Sequence, residues 1–483
     1  MDFLSILIII GFIINIILAM IIVFLERRDP SATWAWLLVL FFIPLLGFVL
    51  YLILGQNLKR YRLFDWEDIK KVGLHEKISE QIQEIESGNY AYSSPEEEQY
   101  KDLIYLSLTT NNALLTENNE IQIFTDGRAK FNQLFADIQK AKNHIHLQYY
   151  IFRDDRLGKK LIDLLTEKAK EGVKVRILYD EMGSRRIKKR SFNKLKEVGG
   201  EVEVFFPSHI PFVNLRINFR NHRKLVIIDG KIGYVGGFNV GDEYLGLNKK
   251  YGYWRDTHLR IQGEAVHGIQ LRFILDWNQA SSRNDIYYAP DYFPHVTELY
   301  NQIPMQIVTS GPDSKWEHIK NGYIKMIASA KESIYIQTPY FIPDNSILDA
   351  LRIAALSGLD VRIMIPNKPD HMFVYWATLS YIGELLKAGA KVYIYDNGFI
   401  HAKMIVVDKQ AASVGTANID VRSFRLNFEV NAFIYHRESA EKLAAIFEKD
   451  VEQSWQLTEE IYFQRPLIVR FKESISRLLS PIL

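Results

Sequence analysis

The sequence predicts an α/β protein in which two copies of one α/β unit follow a helical hairpin that spans a membrane. Three observations lead to this prediction. Two long apolar runs without charged residues open the chain. After about residue 120, short β-rich runs alternate with amphipathic helical stretches, and several segments of this second part occur twice in the same order. With 483 residues, the chain is long enough for about three domains.

The predicted hairpin occupies residues 1–60, with spans at about 3–25 and 34–54. The first run is uncharged, and as a helix it would be longer than the ~30 Å of bilayer hydrocarbon. The second run begins with Trp34 and Trp36, which suit a membrane interface. A cleaved signal peptide is the alternative for the first run. We disfavour it because no basic residue precedes the run and a second apolar run follows closely.

The basic residues around the hairpin predict its orientation. Two spans place both ends of the hairpin on one side of the membrane. The segment after the second span carries more Lys and Arg residues than the turn, which contains Arg27 and Arg28. The positive-inside rule therefore favours a cytoplasmic location for the rest of the chain. Residues 61–120 are rich in charge and predict a helical linker.

The internal duplication defines two predicted α/β domains, over residues 121–295 and 296–460. Each copy has an Ala-Lys pair before a β-rich run, and later a Gly before a second apolar run. The repeated segments are 145–150 with 334–340, and 172–178 with 358–364. Because each second segment follows a helical stretch, the pattern indicates strand–helix–strand units.

The remaining residues, 461–483, predict an amphipathic helix. Apolar residues recur at helical spacing, among them Ile468, Phe471 and Ile475, while Arg470 and Lys472 lie off this stripe. Two positions fit the pattern equally well. The helix lies on a membrane surface, or it packs on the preceding domain.

Composition excludes several classes of chemistry. The chain contains no cysteine, so disulfides, thiol nucleophiles and Cys-ligated zinc are excluded. Its 12 histidines form no His-Glu-x-x-His motif, and no EF-hand pattern occurs. The net charge of +2 gives no sign of a surface for nucleic acid. We therefore expect no metal, no cofactor and no nucleic-acid partner.

Each predicted domain contains the same short pattern, His-x-Lys-x4-Asp followed by a Gly-containing turn and an Asn. The first copy consists of His222, Lys224, Asp229 and Asn239, and the second of His401, Lys403, Asp408 and Asn418. The same number of residues separates His from Asn in both copies. Recurrence at matching places in a duplicated unit is far more specific than a single His-x-Lys.

The residue types in this pattern suit phosphoryl chemistry. The apolar run after each His predicts a strand, on which His and Lys two residues apart share a face. Two half-sites together would surround one phosphorus atom with two imidazoles, two ammonium groups and two amides. One neutral His would attack phosphorus and the other would protonate the leaving alkoxide, while Lys and Asn stabilise the oxygens. The residues alone do not order the two histidines.

Acidic residues near each motif are candidates for orienting the histidines. A catalytic histidine commonly needs a carboxylate that fixes its tautomer. Glu243 and Glu429 lie downstream of the two Asn residues and are our candidates, with structural ion pairs as the alternative. Asp229 and Asp408 belong to the catalytic motif, but each falls on the opposite face of a regular strand from its Lys. We therefore favour a turn-fixing role for these two aspartates.

The doubled motif resembles the phospholipase D superfamily and, within it, the bacterial cardiolipin synthases. The resemblance also covers the residues after each motif, at 233–244, 254–258, 415–424 and 426–431, and the hairpin. It implies two phospholipase D-like α/β sandwich domains that form one shared active site. It further implies phosphatidyl transfer between two phosphatidylglycerol molecules at the bacterial cell membrane, without a metal. The resemblance also implies a phosphohistidine-type intermediate. Precedent in the family favours His222 as nucleophile and His401 as acid and base.

Other functions fit the same motif. A hydrolytic phospholipase D or a nuclease would use water as acceptor, and a phosphatidylserine synthase would use a different alcohol. A catalytically inactive membrane scaffold is disfavoured because both half-sites are intact. For lipid access we consider residues 205–207, 210–212 and 371–376, with core packing as the alternative. The basic run 188–190 suits anionic headgroups or simple solvation, and the sequence gives no oligomeric state.

Overall fold

The computed structural model describes residues 3–26, 30–43, 46–47, 49–51, 55, 74–208, 218–281, 284–368 and 370–480. The chain divides into two compact units. The first consists of residues 1–62 and 206–219, and the second of residues 63–205 and 220–483. Both predicted α/β domains therefore belong, almost entirely, to the second unit.

The described residues of the first unit are mostly helical. Its elements are α1 (Phe3–Met20), a π-helical stretch (Ile21–Glu26) and α2 (Pro30–Phe42). Ile22, Leu40 and Tyr51 form a small buried cluster, and Asn15 Nδ2 donates a hydrogen bond of 3.3 Å to the carbonyl oxygen of Leu40. These contacts pack α1 against α2.

Across the parts of the chain that the structure describes, no helix has both the length and the apolar character that a membrane crossing requires. The first predicted span corresponds to α1 and the π-helical stretch. The second predicted span corresponds in part to α2, but residues 44–45, 48 and 52–54 of this span lie outside the described residues.

The described part of the second unit opens with three helices in the predicted linker and continues through the first α/β half. The helices are α3 (Leu74–Glu86), α4 (Pro95–Gln99) and α5 (Lys101–Asn111). Then follow β1 (Asn119–Asp126), α6 (Gly127–Lys140), β2 (His144–Tyr149), α7 (Arg156–Lys170), β3 (Lys174–Asp180), a 3₁₀ turn (Lys189–Phe192), α8 (Asn193–Glu197), β4 (Glu201–Phe205), β5 (Arg220–Asn221), β6 (Leu225–Ile228), β7 (Ile232–Gly236), a 3₁₀ turn (Asp242–Leu245), β8 (Trp254–Gly263), α9 (Ala265–Ala280) and a 3₁₀ turn (Pro290–Tyr292). Leu103 and Ile104 of α5 are buried in the core of the second half.

The second half repeats this alternation. Its elements are β9 (Met305–Ser310), α10 (His318–Ser329), β10 (Ser333–Gln337), β11 (Phe341–Ile342), α11 (Asn345–Leu356), β12 (Asp360–Pro366), α12 (Met372–Lys387), β13 (Lys391–Tyr395), β14 (Phe399–Ile400), β15 (Met404–Val407), β16 (Ala411–Gly415), β17 (Ile419–Asp420), α13 (Val421–Arg425), β18 (Asn427–Ile434), α14 (Arg437–Val451), β19 (Ser454–Leu457), α15 (Glu459–Phe463) and α16 (Leu467–Leu478).

The two halves build two large sheets with the same internal order. The first sheet runs β1-β8-β7-β6-β2-β3-β4, and the second runs β19-β13-β12-β10-β15-β16-β18, with β9 also paired to β18. The series β7-β6-β2-β3-β4 in the first sheet corresponds to β16-β15-β10-β12-β13 in the second, with the same parallel and antiparallel pairings. The predicted duplication of α/β domains is therefore confirmed.

Local sequence signals explain why both copies fold alike. Asp155 and Asp344 cap the N-termini of the helices α7 and α11, which come after the central strands β2 and β10. Their side chains accept hydrogen bonds from backbone N–H groups of the first turn. Both helices end before a glycine, Gly172 or Gly358, with φ near +90°. The central strands are buried along their whole length, as expected for strands covered on both faces.

The motif aspartates close the turns that follow the strands β6 and β15. Asp229 accepts hydrogen bonds from the backbone N–H groups of residues 142–144 at 2.7–2.9 Å, and Asp408 accepts the equivalent bonds from residues 331–333 at 2.8–2.9 Å. Both residues have positive φ, near 54° and 51°. They therefore lie at the far end of their strands from the histidines and connect the end of each strand to the start of the central strand.

We expect Asp408→Ala to lower stability rather than to remove a catalytic group. The substitution leaves three backbone N–H groups without their acceptor and places Ala at positive φ, which together cost on the order of 1–3 kcal/mol. Asp408→Asn keeps one acceptor oxygen and tolerates the backbone conformation, so its cost is smaller. Thermal unfolding of the purified variants measures both effects. An Ala variant that unfolds like the native chain yet lacks activity would contradict this assignment.

Candidate active site

Each motif histidine is anchored on the sheet of the other half. The short strand β5, just before His222, pairs in parallel with β18 of the second sheet, and β14, just before His401, pairs in parallel with β8 of the first sheet. The backbone N–H of His222 then donates to the carbonyl oxygen of Phe428 at 3.0 Å, and that of His401 donates to Arg255 at 2.7 Å. This reciprocal crossing joins the two half-sites.

The residue after each of these carbonyl groups is an acid that contacts the histidine. His222 Nδ1 lies 2.9 Å from Glu429 Oε1, and His401 Nδ1 lies 2.7 Å from Asp256 Oδ2. Both carboxylates are fully buried, whereas the two histidine side chains are about one-tenth exposed. A carboxylate on Nδ1 fixes the tautomer in which Nδ1 carries the proton. The lone pair of Nε2 is then available for a bond to phosphorus.

Buried Arg–Asp pairs hold the backbone of both orienting acids. Arg223, the middle residue of the first motif, donates from Nη1 to both oxygens of Asp276 at 2.7 Å and from Nε to the carbonyl oxygen of the orienting glutamate at 3.0 Å. Arg255 donates from Nε to Asp450 at 3.0 Å and from Nη1 to the carbonyl oxygen of the orienting aspartate. The same support therefore occurs in both half-sites.

The motif lysines are fully buried beside their own histidines. Lys224 Nζ and Lys403 Nζ each donate to the backbone carbonyl of the histidine two residues before, and Lys403 Nζ also lies 2.8 Å from His401 Nδ1. Burial lowers the pKa of Lys224 to about 7 and that of Lys403 to about 8, and repulsion from Lys403 contributes to the first of these shifts. The two half-sites thus belong to one charged centre.

The histidines are neutral and the acids are ionised near pH 7. Burial lowers the pKa of His222 and of His401 to about 4, against the attraction of their carboxylates. Burial alone would raise the pKa of Asp256 and Glu429, but the neighbouring lysine and histidine groups reverse this and lower both. Neutral imidazoles beside ammonium groups are the state that a nucleophile for an anionic phosphodiester requires.

The two motif asparagines are buried and partly engaged. Asn239 Oδ1 accepts from the N–H of Ile151 at 3.0 Å, and its Nδ2 donates to the hydroxyl of Tyr244 at 3.2 Å. Asn418 Nδ2 donates to Asp420 Oδ2 at 3.0 Å. An amide nitrogen has two hydrogens, so each side chain retains one donor beyond these contacts.

The position of Glu243 differs from the prediction. Its carboxylate pairs with Arg153 at 3.2 Å on a partly exposed surface and contacts neither motif histidine, whereas Asp256, which was not among our candidates, contacts His401. The reason is a longer connection, which contains a 3₁₀ turn, between Asn239 and β8. Asp256 therefore lies further from Asn239 along the chain than Glu429 lies from Asn418. Asp256 and Glu429 are both the third residue of their strand. Aligning the predicted strands, rather than counting from the Asn, would have identified Asp256.

The strand after each motif is as predicted, but it begins later. It covers Leu225–Ile228 and Met404–Val407, so the His-x-Lys residues lie in the link between two strands rather than on one strand. Lysine and histidine still meet because the lysine side chain turns back to the histidine carbonyl group. Within the described ranges, no three or more His, Asp or Glu side chains are arranged to hold a metal ion.

Aromatic rings surround the two imidazoles. The ring of Tyr150 lies 4.9 Å from that of His222, and the ring of Trp254 lies 5.2 Å from that of His401, measured between centroids. Among the segments considered for lipid access, Phe205 is buried against Phe428, residues 188–190 are exposed, and residues 210–212 lie outside the described part of the chain.

Residues 134–263 and 323–451 match the family described as cardiolipin synthase, PLD-like domain, once in each half. Residues 13–56 match the family described as phospholipase D-nuclease N-terminal. The two matches of the first family together include all the motif residues and both orienting acids.

Curated relatives match over the whole chain. The sequence is 66% identical to the major cardiolipin synthase of Bacillus subtilis, covering 99% of both chains, and 58% identical to a cardiolipin synthase of Listeria welshimeri, covering 100% of both. Among solved structures, the fold is similar to that of a phosphatidylserine synthase from Haemophilus influenzae, with a TM-score of 0.61 and 15% sequence identity over 80% of this chain and 100% of that one.

We expect Glu429→Gln and Asp256→Asn each to lower kcat by roughly 100-fold or more, because the neutral amide no longer fixes the histidine tautomer. The matched control is Glu243→Gln, which changes an acid that lies in the first half, as Asp256 does, but touches no motif histidine, and it should leave kcat within about twofold. Steady-state assays on variants with native unfolding temperatures measure this. A larger loss for the control than for the other two would contradict the assignment.

The pKa values also predict a pH profile. The lysines with pKa values of about 7 and 8 lose their charge as pH rises, so phosphate binding weakens and kcat/KM should fall above about pH 7. The histidines have pKa values of about 4 and therefore stay neutral down to about pH 4. On the acidic side, kcat/KM should fall only near that pH. The profile of kcat/KM reports the free enzyme, whereas the profile of kcat reports the enzyme with bound substrate, whose anionic phosphate keeps the lysines charged. The alkaline fall in kcat should therefore lie at higher pH than the fall in kcat/KM. An alkaline limit unchanged by Lys403→Arg and Lys224→Arg would oppose this.

Proposed function

Because the chain belongs to the bacterial cardiolipin synthases of the phospholipase D superfamily, we propose that it transfers the phosphatidyl group of one phosphatidylglycerol to another, forming cardiolipin and glycerol. The observation that carries this proposal is the reciprocal pair of His–carboxylate contacts, each joining a histidine of one half to an acid of the other. Two oriented imidazoles with two buried lysines provide a nucleophile, an acid and a binding site for an anionic phosphodiester.

The reaction proceeds in two displacements. His222 Nε2 attacks phosphorus, the bond from phosphorus to the glycerol oxygen breaks, and His401 donates a proton to that oxygen, so glycerol leaves. The enzyme then carries the phosphatidyl group on His222. In the second displacement, His401 takes the proton from a glycerol hydroxyl of the second phosphatidylglycerol, whose oxygen attacks phosphorus and breaks the bond to His222. Both histidines return to their starting states.

The order of the histidines follows from one difference between the half-sites. His222 Nδ1 contacts only a carboxylate within the described residues, and a carboxylate increases the basicity of Nε2. His401 Nδ1 lies beside both Asp256 and Lys403 Nζ, and the ammonium group lowers its basicity. His222 is therefore the better nucleophile, and His401, once protonated, is the stronger acid.

The substrate itself supplies the charge that protonates the acid. In the free site, burial and then the charges of Lys403 and Lys224 disfavour an imidazolium and lower the pKa of His401 to about 4. An anionic phosphodiester between the two ammonium groups offsets this repulsion and raises the pKa of the imidazole. Proton uptake is thus coupled to substrate binding. The lysines and asparagines serve the non-bridging oxygens, so we expect no requirement for a metal or a cofactor.

The proposal includes attachment to the cell membrane. The two apolar runs at 3–25 and 34–54 have the composition of a membrane hairpin, and the distribution of Lys and Arg favours a cytoplasmic active site. The substrates are then membrane phospholipids, and nucleic acid is not a substrate.

Purified protein with labelled phosphatidylglycerol in vesicles tests the reaction directly. We expect cardiolipin and glycerol in equal amounts, unchanged by a chelator, and no cardiolipin from His222→Ala or His401→Ala. The reason is that each variant lacks one of two groups that the reaction needs in both displacements. Release of phosphatidic acid in place of cardiolipin would instead assign hydrolysis.

The same two variants identify the nucleophile. With a phosphatidyl ester of a good leaving group, such as nitrophenol, the first displacement needs no acid. His401→Ala should then release nitrophenol in a single burst and retain the phosphatidyl group on the protein, whereas His222→Ala should show no burst. Phosphorus NMR of the denatured adduct would detect the P–N bond. A burst from His222→Ala alone would assign the nucleophile to His401.

A further inference from the structure

The C-terminal helix α16 presents its apolar side to solvent and its polar side to the protein. Glu473 and Ser476 are buried, while the apolar residues at helical spacing are exposed. These exposed residues are Leu467, Ile468, Phe471, Ile475 and Leu478, and we refer to them as the apolar stripe. A surface helix normally buries its apolar face, so the reversed orientation indicates that the stripe has another partner.

Polar and cationic contacts attach the other side of α16. Glu473 pairs with Arg465 at 3.0 Å, and the guanidinium of Arg465 lies over the ring of Tyr462. Arg477 pairs with Glu384 of α12 and lies 4.5 Å from the centre of the ring of Tyr381 on the same helix. These contacts fix the rotation of α16 about its axis. The apolar stripe is therefore held outward by specific interactions.

Apolar exposure continues from α16 onto the beginning of α12. Lys472 Nζ lies 5.0 Å from the centre of the Trp376 ring, which contacts Phe373, and both Met372 and Phe373 are about half exposed. The stripe and the start of α12 thus form one surface.

This surface adjoins the active site. Asp370, two residues before α12, accepts a hydrogen bond from the hydroxyl of Tyr340, and its charge acts on Lys403 of the second motif. The start of α12 therefore lies close enough to the second half-site for a charge beside it to raise the pKa of Lys403.

We propose that the apolar stripe of α16, together with Met372 and Phe373, inserts into an anionic phospholipid monolayer. The charges of α16 favour this partner: its basic residues Arg470 and Lys472 are exposed beside the stripe, and its one acidic residue is the buried Glu473. Apolar residues flanked by cations suit the interface of a membrane with anionic headgroups. A second copy of the chain would bring the same cations together, which is unfavourable.

The absence of cysteine from the chain allows a direct test with the full-length protein. Ile475→Cys places a single label on the stripe, and Lys170→Cys places one on an exposed residue at the end of α7, as the matched control. Both variants are labelled with an environment-sensitive fluorophore and reconstituted into vesicles of phosphatidylglycerol and phosphatidylcholine. We expect a blue-shifted emission at position 475 that spin-labelled lipids quench several-fold more strongly than emission at position 170.

Three results would overturn the proposal. One is equal quenching at the two positions. Another is quenching at position 475 that is the same in vesicles of phosphatidylcholine alone, because the cations would then have no role. A third is a blue shift in detergent that grows with protein concentration and resists quenching by spin-labelled lipid, which would assign the stripe to a second copy. All three readouts are independent of catalysis.

A second measurement links the surface to the reaction and rests on the proposed function. Replacing Leu467, Phe471 and Ile475 by Ser should lower cardiolipin formation from vesicles several-fold, while turnover of a short-chain, monomeric phosphatidylglycerol stays within about twofold. Equal losses on both substrates, in a variant that unfolds at the native temperature, would overturn the role in substrate access. If the native chain forms no cardiolipin at all, the proposed function fails, whereas the quenching result stands.

Discussion

The active site depends on one constraint, the crossing of each motif onto the sheet of the other half. Only two residues of β5 and two of β14 make the crossing, but their backbone bonds set the positions of His222 and His401 beside the third residues of β18 and β8. Neither half contains a histidine together with its own orienting acid. The association of the two halves therefore creates the His–carboxylate pairs, and a separated half would have neither pair.

Burying several charges in one place is unfavourable unless each has a partner of opposite charge. The structure provides such partners in the centre of the site and again around it. Two lysines, two histidines and two acids form the centre, and each acid's backbone is in turn fixed by a buried Arg–Asp pair, Arg223 with Asp276 and Arg255 with Asp450. A buried ion pair contributes little to stability by itself, because desolvation offsets its attraction. Its value here is positional: each arginine also donates a hydrogen bond to the backbone of the orienting acid, so the acid cannot shift without breaking that buried bond.

The sequence predicted the duplicated α/β fold and the motif residues that meet in the candidate site, because strand periodicity and repetition are local signals. It also placed Glu429 among the orienting acids. It did not find Asp256, since the connections after Asn239 and Asn418 differ in length, and the equivalence of Asp256 and Glu429 is visible only when their two strands are aligned. It also placed His and Lys on one strand, whereas the chain crosses between sheets at that point. Pairing between distant segments is a tertiary property that no spacing within one segment records.

The C-terminal helix shows the same limit and its physical consequence. Its spacing predicted an amphipathic helix but left open which side faces the protein, since periodicity defines a stripe and not its partner. The structure shows that Glu473 and Ser476 face inward, and the contacts of Arg477 with Glu384 and Tyr381 oppose a rotation that would bury the stripe. Water is then an unfavourable environment for the exposed residues. In the proposed arrangement, a phospholipid monolayer removes that cost, and the contact that shields the helix also brings the motif lysines towards the phospholipid headgroups.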